Sequence, residues 1–380
     1  EVNVGGIILS NGFNIIEPRL RAEYGYGVYK NVMTALQYER ILSAAGPTLG
    51  HIVRPSDKLE AKKIAWIQCI MSRDDKKGVP YCSRVCCTYA TKQAIITKEH
   101  DPNIETCIFY IDQRNYGKGF EDYHRRAEEI GVRYIRSRPG EIIEDSKTNN
   151  LLITYEDVEK SEINTLEADI LILCSAIVPS EDNRKLSELL GINLDKYGFY
   201  REDEPLLVPL ETNREGVHVC GCCRGPADIP SSIWQASGAS AKTVTPLASL
   251  RGKETKKIEL PPETEVKTSD QPRMGIFICD CGDNIKRVVN VPEVVDYAKT
   301  LPNVVLAEEG AFTCSADYQV KIKDAVKNYN LNRVVVAACT PRTHEYLFRR
   351  TCREVGLNPF LFEFANIREH CSWVHSHEPE

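Results

Sequence analysis

Apolar residues in this chain fall into short continuous blocks set apart by polar stretches of helical period. The blocks "KIAWIQCI", "ETCIFYID" and "VRYIR", with helices predicted over 83–98 and 119–130 and paired strands near 141–173, give a strand and helix alternation from about 58 to 175. Short joints between such elements predict a parallel α/β unit. A second alternation begins near 274: "GIFICDCG", "NVVLAEEGAFTCS", "RVVVAACTP" and "NPFLFEFA" are separated by helices predicted over 292–300, 316–329 and 343–355. It predicts a second, smaller α/β unit over 274–380. Residues 251–273, "RGKETKKIELPPETEVKTSDQPR", are charged, carry proline and show no period, which is the composition of a linker. Residues 1–57 hold a strand "GGIIL", a turn at Asn11-Gly12, the loop "EYGYGVYKNV" and a helix predicted over 34–44, and read as the end of a domain. Residues 176–250 return to turns, a short strand "GVHVCG" and a helix of small residues, "SSIWQASGASAKTVTPLASL".

At 380 residues the chain is long enough for two or three domains. The longest apolar run, "ADILILCSAIV", is too short to cross a bilayer, so no membrane span is expected. The 48 basic and 54 acidic residues leave a net charge of −6 with no basic stripe, which sets nucleic-acid binding aside. Fifteen cysteines change the picture more. No secretory leader is expected and no small stapled domain uses them, so they are expected to reflect a reducing, cytoplasmic setting and metal or redox chemistry. The chain opens at Glu1 directly on a strand-like segment, and is expected to be a piece of something longer.

Cys69 ends the strand "KIAWIQC", and Cys82, Cys86 and Cys87 in "YCSRVCC" gather at the start of the following helix. A dinucleotide fold would place a glycine-rich loop at this turn; here the turn offers thiols. A helix N-terminus favours thiolate and stabilises anions, so Cys69, Cys82, Cys86 and Cys87 are the expected ligands of a four-iron, four-sulfur cluster. Buried structural thiols and a structural zinc are the competing readings of the same spacing. Lys92 and Arg84 on this segment can balance cluster charge, or simply face solvent. In the last unit Cys279, Cys281, Cys314 and Cys339 stand at or just after strand ends, at the edge where parallel sheets place ligands, and are expected to hold a second cluster. Core thiols are the alternative there. Cys352 and Cys371 are spare candidates, and Arg342 and His344 are candidates for binding an anion or tuning the cluster.

"HIVRPSD", "IQCIMSRD", "PYCSRVCCTYATKQAI" and "YGKGFEDYHRRAEEIGVRYIRSRPGEI" resemble the A-type subunit of heterodisulfide reductase, the iron–sulfur flavoprotein of methanogens and of related anaerobes. The resemblance runs over nearly the whole chain. It implies a thioredoxin-reductase-like flavoprotein portion with an inserted α/β cluster-binding domain, followed by a separate small α/β iron–sulfur domain, with the first four cysteines ligating a cluster near the flavin. "TNREGVHVCGCCRGPADIPSSIWQA" resembles the second flavin motif of disulfide-reductase-type proteins, and Thr212, Gly221, Asp228, Ile229 and Gln235 fall on matching positions. Where that superfamily carries Gly-Asp, this chain has Gly221-Cys222. Gly12 sits where such proteins end the strand that approaches the cofactor. The first flavin motif, a GxGxxG, is missing from these residues, so the chain is expected to hold half of an FAD site. The order of parts resembles the tail of one copy joined to the head of another, as in a tandem fusion or in two chains completing each other's sites.

The resemblance further implies an electron-transfer role, relaying electrons between FAD and two [4Fe–4S] clusters, flavin-based electron bifurcation, and assembly with B- and C-type subunits and with ferredoxin or a hydrogenase or formate dehydrogenase. A pyridine-nucleotide-disulfide-reductase-type flavoenzyme and a zinc-binding scaffold are the alternatives. The first would need a nucleotide glycine loop that the inserted unit lacks. The second would show zinc without iron or labile sulfide.

Overall fold

The computed structural model describes residues 3–158, 160–253 and 259–376, and the chain forms two compact units, 1–42 with 50–254 and 43–49 with 255–380. Residues 254–258 of the expected linker lie outside the described residues.

In the first unit five parallel strands lie in the order Val32–Thr34, Ile170–Ser175, Lys63–Ile70, Glu105–Tyr110 and Arg133–Arg136. Their near-continuous apolar character follows from burial on both faces. Alternate side chains of the central strand go opposite ways: Ile64 and Trp66 pack with Tyr38, Ala90, Ala94 and Ile95 of the covering helices. Ala65 and Ile67 pack with Ile142, Leu151 and Ile153 of a three-stranded antiparallel meander, Glu141–Glu144, Leu151–Asp157 and Glu162–Ala168. Each larger aliphatic side chain, once buried, contributes about 1.5–3 kcal/mol. The polar atoms this buries are met: Trp66 Nε1 donates to Gln93 Oε1 at 3.1 Å, and the Tyr38 and Thr97 hydroxyls lie 2.6 Å apart. Val32–Thr34, from the segment ahead of residue 58, is an edge strand of this same sheet. The helix Cys86–His100 begins at the second of the clustered cysteines, so Cys82 stands in the loop before it.

Two small pairings complete the unit. Ile7–Leu9 runs parallel to Val217–Val219, and Phe13–Ile15 runs antiparallel to Ile177–Pro179. Leu9, Val217, Val219, Tyr200 and Cys223 form their own buried cluster. It positions the turn that leads into the helix Ile229–Val244.

The second unit is a four-stranded parallel sheet in the order Val304–Gly310, Met274–Cys279, Arg333–Ala338, Phe362–Asn366. Helices Val291–Thr300, Ala316–Asn328 and Pro341–Arg353 connect its strands. Asn290 and Ser315 cap two of these helices through Glu293 N and Tyr318 N, which explains where they start. Phe277, Val336, Phe348 and Phe362 fill the core, with the Phe348 and Phe362 rings 5.9 Å apart and nearly parallel. Because all four strands point the same way, their C-terminal ends share one edge, and Cys279 and Cys339 are placed there. No helix among the described residues is long and apolar enough to cross a membrane.

Candidate functional site

The structure brings Cys69, Cys82, Cys86 and Cys87 together at the C-terminal end of the Lys63–Ile70 strand. Burial pushes the Cys86 thiol up, and the charges of Cys69, Cys87 and Cys82 add to it. Cys87 is pushed up to about 11, again by burial first, with Cys69 and Cys82 contributing. Burial raises Cys69 as well, against the nearby Arg73 guanidinium. Cys69, Cys86 and Cys87 each feel the charge of Cys82.

The backbone is bent to make this possible: Cys69, Met71, Arg73 and Arg84 all have left-handed φ, between 58° and 64°. Such conformations cost non-glycine residues about 1–3 kcal/mol each and gather where a site over-determines them. The loop from Cys69 to Cys82 folds on itself through Val79 N to Met71 O at 2.8 Å. Gly78 passes so close that a Cβ there would stand 2.1 Å from Met71 O. The Arg84 amide donates to Cys82 Sγ at 3.3 Å, and the Arg114 guanidinium, held by Asp112 at 3.1 Å, also lies beside Cys82.

Among the described residues no group of three or more His, Cys, Asp or Glu is drawn together as around a single metal ion. A polynuclear cluster spreads its thiolates more widely than one ion does. Cys87 Sγ lies 3.5 Å from Gln68 Oε1 and 3.8 Å from Asp112 O. On those two neighbouring segments Gln68 Nε2, both amide atoms of Gln113 and Asn115 Nδ2 are buried without a hydrogen-bond partner. Buried orphans of this kind ask for a ligand. Four convergent thiols, two arginines and unmet amides fit an anionic iron–sulfur cluster.

Beside the same helix lies an apolar cavity of about 290 Å³ lined by Phe13, Ile15, Leu36, Tyr89 and Ile177, with Lys92 and Glu39 on its wall. Lys92 pairs with Glu39, so its charge faces this cavity and a carboxylate.

Of the flavin-type residues, Gly221 N donates to Gln235 Oε1 at 2.8 Å, tying the turn to the helix it precedes. Asp228 caps that helix, accepting from Ser231 N at 2.7 Å. Burial alone would raise the Asp228 carboxyl; Ser231 and the Arg84 guanidinium hold it below the usual carboxylate range. Thr212 Oγ1 donates to Val217 O at 2.9 Å and shapes the preceding turn. Cys222 is half-buried with its thiol 3.4 Å from Ala227 O, and Ile229 is exposed. Gly12 has φ of 75° and open space where a Cβ would be. Cys220 and Cys223 are buried, and Cys223 Sγ lies 3.3 Å from Leu9 O.

In the second unit Cys279, Cys281, Cys314 and Cys339 converge. Cys279 Sγ accepts from Cys281 N at 3.3 Å and Thr313 N at 3.4 Å. The Cys281 thiol donates to Cys279 and holds it well below the thiol range, while Cys281, which keeps the hydrogen it donates, is held up. Burial raises Cys314 and Cys339, and both feel Cys279. Arg368, which no motif in the sequence singles out, reaches Cys281 Sγ at 3.8 Å and lies beside Cys339. Cys352 is elsewhere, buried among Phe348, Leu357 and Phe362, and burial alone pushes it up to about 12. Cys371 is half-buried. Arg342 is exposed and His344 half-buried in the first turn of the helix Pro341–Arg353.

A turn recurs in both sets. Cys82 and Cys279 each accept the amide of the residue two positions on, and that residue, Arg84 or Cys281, is left-handed with φ of 64° or 49°. Two α/β units thus carry thiols at or near strand ends, and the first also carries the turn that resembles a flavin motif. No family model matches the chain. It is 45% identical over 249 residues to the A-type iron-sulfur subunit of CoB–CoM heterodisulfide reductase from Methanocaldococcus jannaschii, covering 65% of this chain and 38% of that protein. To the A-type subunit of the H2:CoB–CoM heterodisulfide, ferredoxin reductase of Methanothermobacter thermautotrophicus it is 39% identical over 271 residues, 71% of this chain and 40% of the relative. Over that stretch the chain is similar to heterodisulfide reductase A-type subunits, and it spans about two fifths of the length of these curated relatives. A T. acidophilum thioredoxin reductase overlays 64% of this chain and 66% of its own at 14% identity and a TM-score of 0.40.

Proposed function

We propose that this chain is part of an electron-transfer iron–sulfur flavoprotein, an oxidoreductase component of a heterodisulfide-reductase-like complex. The observation that carries the reading is the convergence of Cys69, Cys82, Cys86 and Cys87 next to the cavity of Lys92 and Glu39 and the turn capped by Asp228. The first four cysteines would hold one [4Fe–4S] cluster, and Cys279, Cys281, Cys314 and Cys339 a second. Gly12, Thr212, Gly221, Cys222, Asp228, Ile229 and Gln235 would form this chain's half of the FAD site. When bound, the flavin exchanges electron pairs and the clusters single electrons, so the protein's part is placement and tuning.

That part is legible in the side chains. Arg73 and Arg114 offset negative charge at the first thiol set, and Arg368 does so at the second. Amides aimed at Cys82 and Cys279 stabilise thiolate and so favour added negative charge. Lys92, paired with Glu39, can place a positive charge at the cavity. Apolar lining excludes water there.

Relatives carry names that include ferredoxin, H2 and formate. Together with the resemblance, they support B- and C-type subunits and a ferredoxin, hydrogenase or formate dehydrogenase as partners, and electron bifurcation as the overall activity. The test is electron paramagnetic resonance on anaerobically reconstituted protein. Cys69→Ser should remove one cluster signal and Cys339→Ser a different one; if both variants keep every signal, the ligand assignment is wrong.

A further inference from the structure

Arg84 touches both the first cysteine set and the flavin-type turn. Its amide donates to Cys82 Sγ at 3.3 Å, while its guanidinium lies 3.0 Å from Ser231 Oγ and 3.5 Å from Asp228 Oδ2. The Tyr116 ring holds that guanidinium from another side, 4.7 Å from centroid to Cζ. Arg84 and Asp228 are 144 positions apart in the chain, yet one side chain joins them. The arrangement is also strained, since Arg84 holds φ of 64°, a conformation arginine seldom adopts without being held.

Two jobs explain why an arginine stands where glycine would be the easy choice. A left-handed residue at 84 aims its amide at sulfur, which any residue able to take that φ can do. Reaching Ser231 and the Asp228 carboxylate needs the long cationic side chain, and these contacts in turn hold the backbone in place. An anion arriving at the start of the Ile229–Val244 helix would compete with Asp228 for the guanidinium. The pull on Arg84 then changes, and with it the field and the amide at Cys82.

We propose that Arg84 is a positioning residue that couples the two cofactor sites, so that the charge state at Asp228 sets the reduction potential of the cluster held by Cys69, Cys82, Cys86 and Cys87. This rests on the proposed function. The coupling has a definite sign. Arg84 favours the reduced, more negative cluster, and Asp228 draws part of that influence away. Loss of Arg84 should make the cluster harder to reduce, and loss of the Asp228 charge easier.

The experiment is a potentiometric titration of the first cluster's signal in the full chain, reconstituted anaerobically with iron and sulfide. Four proteins are compared: wild type, Arg84→Gly, Asp228→Asn and the double variant. Glycine takes left-handed φ freely, so Arg84→Gly keeps the amide on Cys82 and removes only the guanidinium. Its expected effect is a fall of about tenfold in the reduced-to-oxidised ratio at a fixed potential, about 59 mV for one electron. Asp228→Asn should move the same ratio up severalfold, and its effect should shrink to less than half in the Arg84→Gly background. Arg84→Lys, which keeps a positive charge, should recover much of the wild-type ratio. Shifts that simply add, or an Asp228→Asn signal unmoved from wild type, overturn the coupling. Should Arg84→Gly fail to fold, Asp228→Asn and Arg84→Lys decide the question by the same titration: an Asp228→Asn ratio above wild type with an Arg84→Lys ratio near it supports the coupling, and an unmoved Asp228→Asn ratio overturns it. Wild-type protein that takes up no iron overturns the proposed function itself, an outcome distinct from an iron-loaded protein whose shifts add.

Discussion

The amide of Cys281 points at the sulfur of Cys279 from 3.3 Å, and the two thiols share a hydrogen so that Cys279 holds most of the negative charge. This pair, at the end of the Met274–Cys279 strand, is the nucleus of the second cysteine set. Replacing Cys279 by serine should abolish the second cluster signal and leave the first. Cys352→Ala should keep both signals, since its thiol has only core neighbours, while lowering stability by about 1 kcal/mol through lost packing. Iron quantification and guanidinium denaturation check the two halves of this expectation.

Arg368 lies against Cys281 and Cys339 and is itself steadied by Glu369 at 2.7 Å. Arg368→Gln removes a positive charge from the second set without touching the first. The second signal should become harder to reduce by on the order of 1 kcal/mol, with the first unmoved. Redox titration of both signals in one sample reads this directly.

Gly78 is fixed by close approach. With any larger residue its Cβ would collide with the Met71 carbonyl, and the loop that carries Cys69 round to Cys82 would have to open. Gly78→Ala should therefore lose the first cluster signal and retain the second, although no ligand has been changed. Retention of both signals at wild-type iron content would mean that the loop can relax.

The strand and helix alternation was legible because the central strands of the two parallel sheets are covered on both faces, which writes continuous apolar blocks such as "IAWI" into the chain. Thiols at strand ends were legible for the same reason: the end of an apolar block is a local event. Arg368, Gly78 and the cavity of Glu39 and Lys92 were not. Arg368 meets a thiol 87 positions away and Glu39 a lysine 53 positions away, and local period carries no trace of such meetings. The edge strand Val32–Thr34 was hidden by its three-residue length, below what a periodic pattern can mark.

Buried thiols also set a pH dependence. Burial pushes Cys107, Cys223 and Cys352 up to about 12, whereas in the unfolded chain a thiol titrates near about 8.5. These groups favour the folded state below the unfolded value, and that contribution is lost as pH rises towards the folded value. Metal-free protein should show a falling denaturation midpoint from about pH 8.5 upward, and Cys352→Ala should flatten the fall. A midpoint constant across that window would mean these thiols are not buried in solution.

The most direct test of the account is the iron, labile sulfide and zinc content of protein purified without oxygen. Two thiol sets of four predict about eight iron and about eight sulfide per chain, with zinc near zero. Zinc without sulfide, in protein that is folded, would contradict it.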